Sequence, residues 1–187
     1  MGEPYDLSAF KILIKKIFPP KKCVYTLDTT GNGKADSVQI KAINIIIPFV
    51  VPENIEIGDF NIQNFDMNNL DINNIDISKY AKIYLDDEPL NLSKEIISLN
   101  AIQERIMIYH GEELFKLNDL VEGKLSGRTI ALGDSISVIL KLDESSLEKV
   151  TEGKHIFKIE SDFITGIEIN FELDKNNMNL RFDPNNL

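Results

Sequence analysis

The stretch Asp28-Thr29-Thr30-Gly31-Asn32-Gly33-Lys34-Ala35-Asp36 carries the residue types and spacing that can do chemistry. Counted from Asp28, oxygen-bearing side chains fall at positions one, three, five and nine: Asp28, Thr30, Asn32 and Asp36. Alternate side chains of a tight coil converge, and calcium takes about six to eight oxygens at roughly 2.3–2.6 Å. Gly33, at position six, permits a sharp turn where a Cβ would clash. The backbone carbonyl of Lys34, at position seven, supplies a fifth ligand. The expected metal set is therefore Asp28, Thr30, Asn32, Lys34 through its carbonyl, and Asp36, with Ca2+ as cofactor. Two of these ligands are charged, so the expected affinity is weak, on the order of 10⁻⁴–10⁻³ M, as in extracellular modules. The same residues also make a good hairpin turn, because Asn32-Gly33 tolerates positive φ angles. Both readings stand at this level.

Elsewhere the chemical inventory is thin. His110 and His155 lack metal-binding or triad neighbours at recognisable spacing and are expected to be structural. No nucleophile elbow or phosphate-binding glycine loop occurs. The carboxylate pairs Asp86/Asp87 and Glu112/Glu113 can in principle do acid–base work, yet in an acidic chain they suit solvated turns. Cys23 is alone, which excludes an intramolecular disulfide and a cysteine-built zinc site. No catalytic residue is expected.

Length and composition set the frame. A chain of 187 residues, 43% apolar and 27% charged, fits one domain or two small ones with a real core. Its net charge of −10 argues against nucleic acid as the main partner. Lys11, Lys15, Lys16, Lys21 and Lys22 form the one basic cluster, suited either to a solvated helix face or to an anionic membrane surface. No apolar run is long enough for a transmembrane helix, and the N-terminus does not read as a signal peptide. The chain is thus expected to be cytoplasmic if Met1 is its native start, or exported with its leader removed.

The elements that must position the loop follow from periodicity. Asp6 or Ser8 can cap a helix running to about Phe18, with Leu7, Phe10, Ile14 and Ile17 on one face and Pro19-Pro20 ending it. Cys23 to Leu27 and Ser37 to Ile47 read as strands on either side of the loop. Lys82 to Leu85 is a strand, Ile106 to Leu117 a hairpin turning at His110-Gly111, and His155 to Ser161 another strand. Leu92 to Ile102 fits a helix or a strand. Ile130, Leu132, Ile136, Val138, Leu140 and Leu142 occupy even positions, with a bulge expected at Gly133-Asp134. Ile167, Ile169, Phe171 and Leu173 occupy odd positions with polar residues between, the pattern of a sheet covered on one side. Met178, Leu180 and Phe182 can add an edge strand.

Three stretches resemble known families. The loop is similar to the strand-loop-strand calcium loops of FG-GAP repeats, and its first half to dockerin loops. It departs from an EF-hand, because position twelve is Gln39 and its flanks are strands. Residues 55–80 repeat with period five through Phe60, Phe65, Leu70 and Ile75, which resembles the pentapeptide-repeat family and its square β-helix. Large residues stand where that family has small ones, so an extended, twisted segment packing its apolar face on the main domain is expected ahead of an independent β-helix, with an Asn-rich linker as the third option. Gly127 to Leu173, with Gly153-Lys154-His155 leading into a strand, resembles bacterial immunoglobulin-like modules. That resemblance implies a β-sandwich for display or adhesion and no catalytic residues.

The expected fold is mainly β: an antiparallel, immunoglobulin-like sandwich with an N-terminal helix and a calcium-loop hairpin. Its expected divisions are 1–54, 55–80 and 81–187, or one compact unit. The expected function is a non-catalytic, calcium-stabilised binding or adhesion module, secreted or at the cell surface, with an unknown protein or surface ligand. The alternatives are an assembly subunit pairing through sheet edges and a carboxylate-based hydrolase.

Overall fold

The computed structural model describes residues 7–52, 56–57, 60–61, 82–91, 105–116, 119–120, 122–160 and 167–182. Most of the period-five segment and the ambiguous stretch 92–102 therefore lie outside the described residues. Within 55–80, Glu56–Ile57 (β4) pairs antiparallel with Phe60–Asn61 (β5).

The chain opens with α1 (Leu7–Ile17), which ends at Pro19-Pro20 as expected. The connection then clamps onto a later strand: Glu172 N–H donates to Pro20 O at 2.8 Å, and Lys21 pairs with the Glu172 carboxylate. The first hairpin follows, β1 (Val24–Asp28) and β2 (Ser37–Ile43), paired from Val24↔Ile40 to Leu27↔Ser37. The candidate metal loop is its turn.

β2 is shorter than the sequence suggests. It stops at Ile43 because Asn44 N–H bonds back to Asp134 O and Gly133 N–H to Asn44 O, which turns the chain out of the sheet. The residues beyond Ile47 return as β3 (Phe49–Val50), which pairs with β10 (Thr129–Ile130). The bulge expected at Gly133-Asp134 is a full turn instead. Gly133 takes φ +92°, Asp134 Oδ2 accepts from Ala131 N–H at 2.8 Å, and β11 (Ser135–Lys141) starts afresh in another sheet. The even-numbered alternation persists across this break, so Leu132 ends 61% exposed although it fits the apolar pattern.

Two layers result. The larger sheet has the order β14-β1-β2-β11-β8-β9, where β8 is Ile106–His110, β9 Glu113–Lys116 and β14 Leu180–Arg181. β2 and β11 pair along seven positions, Ile43↔Ser135 to Ser37↔Lys141, so the N-terminal hairpin and the C-terminal half share one sheet. β14 runs parallel to β1, with Leu27↔Leu180 in register. The smaller sheet has the order β13-β12-β6-β7: β13 Ile167–Leu173, β12 Gly153–Glu160, β6 Lys82–Leu85 and β7 Glu88–Leu90.

The core lies between the sheets. Val24, Val38, Ile40 and Leu140 of the larger sheet join Leu85, Phe157, Ile169, Phe171 and Leu173 of the smaller in one buried cluster. Phe157 and Phe171 stack with ring centroids 4.9 Å apart. A short helix, α2 (Glu144–Leu147), is capped by Asp143 accepting from Ser146 N–H at 2.8 Å. A second cluster, with Val51, Phe115, Leu120, Leu125 and Ile130, lies under the β3–β10 ribbon. The molecule is mainly β and sandwich-like.

Candidate metal centre

The β1–β2 loop is built around one carboxylate. Asp28 closes β1 and is 5% exposed. Its Oδ1 accepts from Gly31 N–H at 2.6 Å, from Asn32 N–H at 3.2 Å and from the Thr30 hydroxyl at 3.2 Å. Its Oδ2 accepts from Gly33 N–H at 2.7 Å. Burial pushes the Asp28 carboxyl upward, but the N–H groups of Gly33, Gly31 and Asn32 and the Thr30 hydroxyl outweigh it and hold the carboxyl below its ordinary range. Three successive amides can face one anion because Gly31 and Gly33 adopt φ +78° and +85°, a conformation that costs a residue with a Cβ.

The other expected ligands are arranged around this nest. Asn32 turns its Oδ1 onto Lys34 N–H at 2.8 Å. Asp36 sits where the loop re-enters the sheet, its N–H donating to Leu27 O at 2.8 Å. Its carboxylate takes the Thr29 hydroxyl at 2.7 Å and 2.9 Å, Thr29 N–H at 3.2 Å and the Ser37 hydroxyl at 2.7 Å. The structure thus brings Thr30 onto Asp28 and Asn32 onto Lys34, while Asp36 is engaged by Thr29 and Ser37.

Sequence reasoning missed Thr29 and Ser37, and also the C-terminal partners. Asn179 Oδ1 accepts from Ala35 N–H at 3.2 Å, and Phe182 N–H donates to Asp28 O at 3.0 Å. No local spacing signals a contact across that length of chain.

The donors of this loop are oxygens, the ligand type a hard cation takes. A carboxylate offers about four lone-pair directions. Oδ2 of Asp28 and Oδ2 of Asp36 each accept one of the bonds described, which leaves capacity on both. Among the described residues no three His, Cys, Asp or Glu side chains gather into a metal-binding group, so two carboxylates are the charge this loop offers.

Both histidines have found acidic partners. The His155 ring is clipped between Asp86 Oδ2, 2.7 Å from Nδ1, and Thr151 O, 2.9 Å from Nε2. Asp86 also accepts from Ile156 N–H at 2.8 Å, which ties the β6–β7 turn to β12. With one nitrogen on a carboxylate and the other on a main-chain carbonyl, the ring ties the β6–β7 turn to the start of β12. His110 is 7% exposed, with Nε2 3.8 Å from Asp134 Oδ2. Glu113 pairs with Arg128, and the Arg128 guanidinium lies over the Phe115 ring.

No protein-family model matches this chain, and no curated protein matches it either.

Proposed function

We propose that this chain is a non-catalytic β-sandwich binding module acting outside the cell or at its surface, with the 28–36 loop as a weak Ca2+ site. The observation that carries the metal reading is the Asp28 nest: a buried carboxylate, held ionised, with the Thr30 hydroxyl on it and the Asn32 side-chain oxygen in the same loop, on Lys34 N–H. Asp28, Thr30, Asn32, Asp36 and the Lys34 carbonyl would hold the ion. When bound, it supplies positive charge that relieves the repulsion between the two carboxylates and ties both ends of the loop. Because the loop already closes on its own hydrogen bonds, the metal acts as a staple for the β1–β2 end and the C-terminal segment docked on it.

The module reading is supported by the layered architecture and by the way acids and histidines are used. Asp86, His155 and Glu113 serve turns and ion pairs. Among the described residues, ten strands in the two main sheets already exceed the about seven to nine of immunoglobulin domains. The relation we propose to immunoglobulin-like modules is therefore one of layer packing.

Calcium titration against thermal unfolding tests this. At about 10 mM Ca2+, roughly ten times the expected Kd, binding to the folded state adds about 1.4 kcal/mol. For a chain of this size that raises Tm by about 3–6 °C. Asp36→Asn is expected to abolish the rise. An unchanged Tm in the native chain over that range sinks the metal reading and leaves the loop a hydrogen-bonded turn.

A further inference from the structure

The strongest unexplained surface lies at the opposite end of β2 from the metal loop. Ile46, Ile47, Phe49, Val50 and Leu132 are between 44% and 65% exposed and follow one another along the β2–β3 connection and the end of β10. Single exposed apolar residues need no account, but a contiguous patch does. Beside it opens an apolar cavity of about 210 Å³, lined by Ile17, Ile43, Ile45, Ile46, Phe49 and Ile130.

The patch is held in shape. The Asn44 amide donates to Ile47 O at 2.9 Å, Ile130 O at 3.0 Å and Ala131 O at 3.1 Å, while its Oδ1 accepts from Ile46 N–H. One side chain thus fixes the apolar loop against the end of β10. Exposure here is built in.

Charge identifies the occupant. Ile17 brings the C-terminal end of α1 to the cavity, with exposed Lys15 and Lys16 preceding it and Ile12, 59% exposed, one turn back. The segments 7–22 and 41–52 that meet here contain six lysines and no acidic residue, in a chain of net charge −10. Among the described residues, Lys15, Lys16 and Lys22 form no ion pair. The nearby acid, Asp134, spends Oδ2 on Ala131 N–H and faces His110.

We propose that this end of the molecule docks on an anionic lipid bilayer, with Ile46, Ile47, Phe49 and Val50 entering the interface and Lys15 and Lys16 meeting headgroups. Apolar insertion beside unpaired lysines is the combination that holds a protein on a charged membrane, neither signal sufficing alone. A protein partner is disfavoured because interface cores are depleted of lysine. A second copy is disfavoured because a two-fold contact would set the same lysines against each other.

The test is co-sedimentation of the full chain with phosphatidylcholine vesicles, with and without phosphatidylserine, in chelator so that the calcium loop plays no part. Binding to the anionic vesicles alone, released by high salt, is expected. Lys15→Gln with Lys16→Gln should weaken it roughly twenty- to thirtyfold, at about fivefold per lysine. Ile47→Glu, at a site 65% exposed, should abolish it with Tm preserved. Absence of binding to anionic vesicles, or binding indifferent to the lysine and Ile47 variants, overturns the proposal. So does a dimer in light scattering that Ile47→Glu dissolves, which would make the patch a self-association surface.

Discussion

Asp28 and Asp86 show how two carboxylates in this fold are kept ionised with backbone donors in their first circle of partners. Burial opposes ionisation of both. For Asp28 the loop amides and the Thr30 hydroxyl prevail; for Asp86 the His155 ring and Ile156 N–H do. Each carboxyl therefore has a lower pKa folded than unfolded. The stability it contributes is fully present above the unfolded value and is lost as pH falls through the folded one. Tm is expected to drop on acidification below about pH 4, and Asp28→Asn should make that drop shallower. A drop of equal steepness in the variant would remove Asp28 from the acid response. The β8–β9 turn offers a gain at the same scale. Gly111 and Glu112 take φ +58° and +69°, the two positive angles of a type I′ turn. Glu112 has no glycine's freedom there. Glu112→Gly should raise stability by about 1 kcal/mol, or about 2–4 °C in Tm, measured by calorimetry.

At the level of elements, the strand β12 carries the smaller sheet, pairing with β13 on one side and β6 on the other. Phe157, at its centre, is fully buried and stacked on Phe171. Phe157→Ala should cost about 3–5 kcal/mol in denaturant unfolding, because the two sheets cannot close on the vacated volume. A loss under about 1 kcal/mol would mean that the layers repack freely. The β8–β9 hairpin and the strand β13 were readable from the residues because their signals are local: alternation in both, and turn residues at His110-Gly111; β7, entered through Glu88-Pro89, was not. That residues 28–36 turn the chain between two strands was readable for the same reason, whereas the convergence of the Gly31, Asn32 and Gly33 amides on Asp28 was not. Thr29 on Asp36 and Asn179 on Ala35 N–H were not, because they depend on where the strands settle. The turn at Gly133 was hidden by parity. Two turn residues leave an even-numbered alternation intact, so two strands of different sheets read as one.

For the whole molecule, charge and apolar exposure are distributed unevenly. The chain is acidic overall, while α1 and the 41–52 segment concentrate lysine and exposed aliphatic surface at one end. Vesicle binding and calcium titration thus probe opposite ends of β2, and the two outcomes are independent. The same strand has a further consequence, in time. Gln39 bonds Ser137 at 2.8 Å across 98 residues of chain, at the middle of the larger sheet. While β8–β9 and β12–β13 join neighbours in sequence, the central β2–β11 pair has to find its partner by diffusion of a long loop. During synthesis the β1–β2 hairpin emerges before any of the facing sheet, and β11, the strand that pairs beside β2, follows only once residues beyond 135 have left the ribosome. The expected order of assembly follows: local hairpins close first, and the long-range pairing at the centre of the sheet is the slow step.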